Sequence, residues 1–248
     1  MGQLAVTFNE MQKRLAVLDS ARKEFIANAS HELRTPISSL SGFVELLDED
    51  DPDPEARAEF VRTMRQQVDR LSKLTVDLLD LSKLDADAIQ MRSEPVKLAD
   101  VARRVVAEFG PTAERHRTAI TIGEGSGAVA LADPDRVAQI MRILIDNVLT
   151  HTPEGTAIKV GTVKTANDGA PNASASVVVT DDGPGIEARA RERVFERFYT
   201  GDEVSGSGLG LAIARELALR MRGSLELRSR RGRTEFELRL PAASVVRA

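Results

Sequence analysis

Apolar residues recur every three or four positions over the first fifth of the chain, at Leu4, Phe8, Met11, Leu15, Leu18, Phe25, Ala29, Leu33, Ile37, Leu40, Val44 and Leu47. Such steps keep one stripe on one helix face, which is a heptad seam. The stripe predicts a single long helix, or two joined end to end. The segment "DEDDPDPEA", Asp48 to Ala56, then stops it and starts another, because Pro fits a first helical turn and carboxylates suit the positive end of a helix. A second stripe follows at Phe60, Met64, Val68, Leu71, Leu74, Leu78, Leu81 and Leu84. Two long amphipathic helices and a short loop make a hairpin. A lone hairpin cannot cover both stripes, and pairing two hairpins into a four-helix bundle solves this, so the sequence predicts a homodimer.

After "RSEP", Arg92 to Pro95, the period changes. Short β-branched runs predict strands at Val96–Leu98, Ala119–Ile122, Val129–Ala132, Ala157–Val163, Ser176–Asp181, Ser224–Arg228 and Glu235–Leu240. Helices are expected near Ala99–Arg115, Pro134–Leu149 and Gly208–Met221. Strands and helices alternate without a βαβ rhythm, and the last two strands read as a hairpin around Arg231–Gly232. The fold class is therefore an all-α helical hairpin followed by an α+β sandwich, with helices on one face of a mixed sheet. "TANDGAPNASA", Thr165 to Ala175, has the small, polar composition of a hairpin loop.

Composition removes several function classes. The chain has 248 residues, 42% of them apolar, enough for a packed core. A net charge of −4 gives no reason to expect nucleic acid or an anionic lipid surface, and 4% aromatics leave little to stack bases on. The absence of cysteine excludes disulfides, thiolate zinc sites and cysteine nucleophiles. No apolar run reaches the ~18–20 residues of a membrane helix, and no signal peptide precedes the first helix, so the chain as given is expected to be soluble.

One of the three histidines, His31, lies inside the first helical pattern in "FIANASHELRTP". At about 100° per residue it faces away from the seam residues Ala29 and Leu33, and Thr35 shares its outward face. Pro36 removes a backbone donor and loosens that turn. This helix supplies no second metal ligand one turn away, and Ser30 points elsewhere, so neither a metal site nor a triad is built locally. On these residues alone His31 is a solvated surface histidine or a reactive one.

Three further stretches suggest a nucleotide. "VVVTDDGPGI", Val177 to Ile186, runs from a buried strand into Asp181, Asp182, Gly183 and Gly185, where a carboxylate can accept from an exocyclic amine and glycine lets backbone approach a ring. An ordinary acidic turn would look the same. "GSGLGLAI" puts Gly206, Gly208 and Gly210 at the mouth of a helix, a place for phosphate, yet it is neither a dinucleotide fingerprint nor a P-loop. In "IMRILIDNVLTHT", Asn147 continues the inward stripe of Ile140, Ile143 and Leu144, and its amide needs either a backbone partner or a hard cation such as Mg²⁺.

Taken together, "HELRTP" at His31, "IDNVLTHT" around Asn147, "DDGPGI", "FERFY" from Phe195 to Tyr199 and "GSGLGL" resemble, in this order, the H, N, G1, F and G2 boxes of two-component sensor histidine kinases. The resemblance covers about Ala21 to Pro241 and implies a phosphoacceptor hairpin followed by an ATPase domain of the GHKL or Bergerat type. "GQLAVTFNEMQKRL", Gly2 to Leu15, is similar to the last helix of a HAMP module. The resemblance thus implies a HAMP-like helix over 1–18, a dimerisation and phosphotransfer hairpin over 19–92, and an ATP-binding domain over 93–248.

By the same resemblance His31 is the phosphoacceptor, attacking the γ-phosphoryl of ATP with Nε2. Glu32 orients the imidazole and accepts its Nδ1 proton. Thr35, closing an ExxT pattern, positions water for dephosphorylation of the partner. Asp181 binds adenine, with Gly183 and Gly185 beside it; Asn147 binds the nucleotide and its Mg²⁺; Gly206, Gly208, Leu209 and Gly210 form the hinge of a phosphate lid. The partner is the receiver domain of a response regulator, and the chain is expected to be the cytoplasmic end of a membrane receptor whose sensor and transmembrane helices are absent. Phosphoryl transfer needs positioning and charge neutralisation more than covalent help, and an outward-facing imidazole can present Nε2 to a phosphoryl group.

The sequence departs from the family at three places. Ile143 stands where a further asparagine is usual, Thr150 where a lysine commonly reaches the phosphates, and Thr200 to Ser205 carries no cation. Missing charge-assisted contacts predict weak ATP affinity or slow autophosphorylation. The competing expectation is a degenerate kinase acting mainly as a response-regulator phosphatase or dimeric scaffold. An ATP-hydrolysing relative would instead carry a glutamate at position 143 and lack the histidine hairpin.

Overall fold

The computed structural model describes residues 2–49, 53–86, 88–123, 127–165, 173–201 and 206–243, and packing divides the chain into two compact units, up to Leu78 and from Leu79 onward. In the first unit the seam forms one unbroken helix, α1, Gly2–Glu49. It continues through Pro36, whose missing N–H leaves the Glu32 carbonyl without its helical donor but does not end the helix. Helix α2, Pro54–Asp85, opens on Asp53, whose Oδ1 accepts from the Glu55 and Ala56 N–H groups at 3.0 and 2.9 Å. Aspartate cap and N1 proline together are a strong start signal. Phe43 and Phe60 meet across the hairpin, ring centroids 5.5 Å apart. Much of the apolar surface stays open, with Ile26, Ile37, Val44, Val61, Val68 and Val76 all more than half exposed.

The second unit begins with the last turns of α2, where Leu81 and Leu84 are buried. It then forms strand β1 (Glu94–Lys97), helices α3 (Leu98–Glu108) and α4 (Gly110–Arg115), strands β2 (Ile120–Ile122) and β3 (Val129–Ala132), and helix α5 (Pro134–His151). Strands β4 (Ile158–Thr165) and β5 (Ser174–Asp181) follow, then two short 3-10 turns, helix α6 (Gly210–Arg220), and strands β6 (Ser224–Arg230) and β7 (Arg233–Pro241). Five strands form one mixed sheet in the order β2-β4-β5-β7-β6, with β2 and β4 parallel and the other neighbours antiparallel. Strands β1 and β3 pair separately as an antiparallel ribbon. The α+β sandwich expected from the sequence is therefore present, with a second small sheet not foreseen.

One sheet face carries the core. Along β7, Thr234, Phe236, Leu238 and Leu240 are buried and alternate with more accessible Glu235, Glu237 and Arg239. Against the buried face lie Leu98, Ile140, Met141, Leu144, Ile145, Leu209 and Ile213, all at 0–1% exposure. Helix α5 starts on buried Asp133, which accepts from the Asp135 and Arg136 N–H groups through Oδ1 and from Arg92 N–H through Oδ2.

Three expectations need correction. The helix expected over Ala99–Arg115 is two helices, because Pro111 has no N–H to continue the ladder past Gly110. Leu98 opens α3 instead of closing β1. Helix α6 starts at Gly210, two residues later than expected, since Gly208 has φ +65° and cannot be helical. Strands β4 and β5 reach into "TANDGAPNASA" at Thr165, Ser174 and Ala175, while residues 166–172 of that stretch lie outside the described ones.

Candidate functional site

In the hairpin unit His31 is exposed on α1, and Thr35, one turn on, donates its hydroxyl to the His31 carbonyl at 3.3 Å. Glu32 is half-buried, and its Oε2 accepts from Arg70 Nη2 of α2 at 3.1 Å. The ring of His31 therefore faces solvent, as its position on the helix requires.

The nucleotide candidates lie in the other unit. Asp181 ends β5 with its side chain buried at 4% exposure, and Gly183 N–H donates to its Oδ1 at 2.9 Å. Burial pushes the Asp181 carboxyl above its ordinary value; the Gly183 N–H opposes this, and the neighbouring Asp182 adds to it. Asp182 faces outward, where Oδ1 accepts from Ala157 N–H at 2.7 Å and ties the loop to the start of β4. The β6–β7 turn braces the same loop from behind, with Gly232 N–H donating to Gly183 O at 3.1 Å and Ile186 N–H to Ser229 Oγ at 2.8 Å. Gly185, at φ +86°, sits so close to this turn that a Cβ would lie 2.6 Å from Arg230 O. Only glycine holds that place.

Helix α5 links this loop to the second glycine segment. A Cβ on Gly183 would meet Thr152 Cγ2 at 2.9 Å, just past the end of α5. One on Gly206 would lie 3.8 Å from His151 Nε2, and one on Gly210 3.2 Å from Ile143 Cγ2. Ile143, Asn147 and His151 are spaced i, i+4, i+8 and share one face of α5. Asn147 thus lies between two residues that border Gly206–Gly210, half-exposed and with no side-chain hydrogen bond to another described residue.

Gly208 is wedged against Phe198, itself left-handed at φ 60°, and a Cβ on Gly208 would lie 2.7 Å from the Phe198 carbonyl carbon. "FERFY" is anchored at both ends. Phe195 packs edge-on to buried Phe236 at 6.4 Å under the Arg215 guanidinium, and Tyr199 lies under that of Arg193. Leu209 is fully buried, and α6 begins with no side-chain cap, leaving its first N–H groups open to an anion. Residues 202–205 of the short lid lie outside the described ones.

The structure therefore brings Asn147, Asp181, Gly183, Gly185, Gly206, Gly208, Leu209 and Gly210 around one site. His31, Glu32 and Thr35 belong to the hairpin unit. Sequence reasoning missed the supports Thr152, Phe198, Ser229 and Arg230, and the Arg70 partner of Glu32. Among the described residues no group of three or more His, Cys, Asp or Glu side chains could hold a metal. The Asn147 amide oxygen fits a magnesium ion carried mainly by phosphates and water.

Comparison with known proteins matches the same two regions of the chain. The family described as "His Kinase A (phospho-acceptor) domain" matches residues 21–87, and "Histidine kinase-, DNA gyrase B-, and HSP90-like ATPase" matches residues 132–244. The probable sensor histidine kinase TcrY of Mycobacterium tuberculosis is 32% identical over 255 residues, covering 97% of this chain and 52% of that protein. The sensor histidine kinase WalK of Bacillus subtilis is 31% identical over 223 residues, covering 87% of this chain and 35% of that protein. The chain spans about half the length of the curated relatives it matches. Among solved structures, full-length ShkA in complex with AMPPNP matches with a TM-score of 0.64 and 29% identity, covering 90% of this chain and 46% of that one. Histidine kinase ThkA in complex with response regulator protein TrrA shares the fold, with a TM-score of 0.74 and 22% identity over 95% of this chain and 65% of that one.

Proposed function

The chain belongs to the two-component sensor histidine kinases, and from that membership we propose that it transfers the γ-phosphoryl of ATP to His31 and onward to an aspartate of a response regulator. The observations that carry this reading are the convergence of buried Asp181, the Asn147 face of α5 and the uncapped start of α6 in one unit, and, in the other, a hairpin whose His31 is open to solvent.

Asp181 accepts from the adenine amine, and Gly183 and Gly185 let the backbone lie against the ring. The first N–H groups of α6 face the phosphates. Asn147 would supply one oxygen to Mg²⁺, which when bound would offset the phosphate charge. His31 Nε2 forms a bond to the γ-phosphorus as the bond to the β,γ-bridging oxygen breaks, and ADP leaves. Glu32 takes the Nδ1 proton. An exposed imidazole can meet ATP first and a receiver aspartate afterwards, whereas a packed one could meet neither. Thr35 lies one turn from His31 on the same face, where it can orient water for the reverse, phosphatase reaction.

The domains we assign are the HAMP-like helix over 1–18, the hairpin over 19–92 and the ATP-binding domain over 93–248. The exposed valines and isoleucines of α1 and α2 support a homodimer that buries them. Among the described residues no helix is long and apolar enough to cross a membrane.

Incubation with Mg-ATP and a receiver domain tests the reading. A phosphoryl group labile to acid, stable to alkali and mapped to His31, which then passes to the receiver, is expected; an acid-stable phosphoester or no label overturns it.

The site also explains why affinity is expected to be modest. Ile143 packs on Gly210 and offers no polar atom, and Thr150 is exposed and uncharged. Thr150→Lys restores a cation beside the phosphates and is expected to tighten ATP binding about tenfold by titration calorimetry, the size of one charge-assisted contact. Micromolar or better affinity in the unchanged chain, or no gain in the variant, contradicts this.

A further inference from the structure

The ion pair between Glu32 and Arg70 lies one residue from the phosphoacceptor, and no part of the reaction described above uses Arg70. It joins α1 to α2 through a single contact, Arg70 Nη2 to Glu32 Oε2 at 3.1 Å, with the two side chains 23% and 31% exposed. Glu32 Oε1 makes no hydrogen bond to another described residue. Cations on α1 do not serve Glu32: Arg34 is two residues away and points to another face, and Lys23 pairs with Asp19 at 2.6 Å.

The backbone at this point gives the pair a purpose. Pro36 has no N–H for the Glu32 carbonyl, so the ladder of α1 lacks a rung at residue 32. On either side hydroxyls turn back onto the helix, Ser30 to the Ile26 carbonyl at 2.7 Å and Thr35 to the His31 carbonyl at 3.3 Å. Such back-bonding bends helices. The turn bearing His31 and Glu32 is therefore held less by its own ladder than its neighbours are, and Arg70 ties it from the facing helix. A partly exposed ion pair adds little to stability, so its main consequence is where the carboxylate points.

We propose that Arg70 is a positioning residue for phosphoryl acceptance: its guanidinium fixes the Glu32 carboxylate through Oε2 and leaves Oε1 for the imidazole Nδ1 proton. The inference rests on the roles given above to His31 and Glu32. A planar guanidinium on a long stem sets the direction of a carboxylate as well as its charge, which the compact ammonium of lysine does less well.

The test measures autophosphorylation of the whole chain in Arg70→Gln, Arg70→Lys, Glu32→Gln and the Arg70→Gln/Glu32→Gln double variant, with helicity and dimer mass measured alongside. Arg70→Gln is expected to lower the rate at saturating Mg-ATP about tenfold with KM for ATP unchanged, and Arg70→Lys to recover part of it. In the Glu32→Gln background the second substitution is expected to change nothing, since the group it positions is gone. A full rate in Arg70→Gln, a raised KM, or an equal further loss in the double variant overturns the proposal. Should Arg70→Gln fail to fold, a full rate in folded Arg70→Lys does so instead. A wild-type rate in Glu32→Gln sinks the assigned role of Glu32 and the proposal with it, whereas loss in Glu32→Gln without loss in Arg70→Gln sinks only the proposal.

Discussion

His31→Gln is expected to abolish the acid-labile label while leaving ATP binding and helicity as they were. His31 is exposed on α1, so the exchange removes no core contact. Glutamine is also the better helix former, which keeps the turn intact. Its amide nitrogen, however, delocalises its lone pair into the carbonyl and cannot attack phosphorus. The rate should fall by at least about a thousandfold, the scale set by removing a nucleophile outright. The groups assigned to ATP, from Asn147 to Gly210, all belong to the other unit, so the calorimetric affinity for Mg-ATP should match that of the unchanged chain. Label remaining in the variant would move the acceptor elsewhere. Lost ATP binding would mean that residue 31 shapes the nucleotide site rather than receiving from it.

The features legible in the sequence were those written in local periodicity or in a short motif. The seam from Leu4 to Leu47 shows as one continuous helix because its pattern repeats every turn, and Asp53-Pro54 marks the next start through its own side chain. The break at Phe109, just before Gly110-Pro111, was also legible, since a proline inside a helical pattern removes a ladder donor, but periodicity on both sides masked it. Strands β4 and β6 run past their expected ends because pairing with β5 and β7 continues where side-chain alternation fades.

Support for the site was less visible because it is made by backbone brought from afar. Nothing near Gly185 in the chain announces Arg230 O, and nothing near Gly208 announces Phe198. Arg70 is an intermediate case. The hairpin turn lies nearly the same number of residues from Glu32 as from Arg70, so folding the two stripes against each other places them opposite, 38 positions apart.

Asp181→Asn should act in opposite directions on binding and on stability. Gly183 N–H holds Oδ1, so in the variant the carboxamide oxygen stays with that donor and the NH₂ takes the place of Oδ2. That NH₂ confronts the adenine amine, donor against donor. A site built to accept a hydrogen bond then loses the bond and pairs badly, worth about 2–3 kcal/mol, or ~100-fold in ATP affinity. Stability of the nucleotide-free chain should move the other way. Burial raises the Asp181 carboxyl above its unfolded value, so folding favours the protonated form. That contribution is fully present below the unfolded pKa and is lost as pH rises through the folded one, so at neutral and alkaline pH the wild-type chain carries a buried charge at a cost. Asparagine carries none. The variant is therefore expected to melt at a higher temperature than the wild type at pH 8, with the difference narrowing as pH falls toward the carboxylate range. Scanning calorimetry of both proteins from pH 5 to pH 8, with and without Mg-ATP, reads both effects. A lower melting temperature at pH 8 would mean that the ionised carboxylate is held by contacts stronger than the single Gly183 N–H, and unchanged ATP affinity would remove Asp181 from the adenine site.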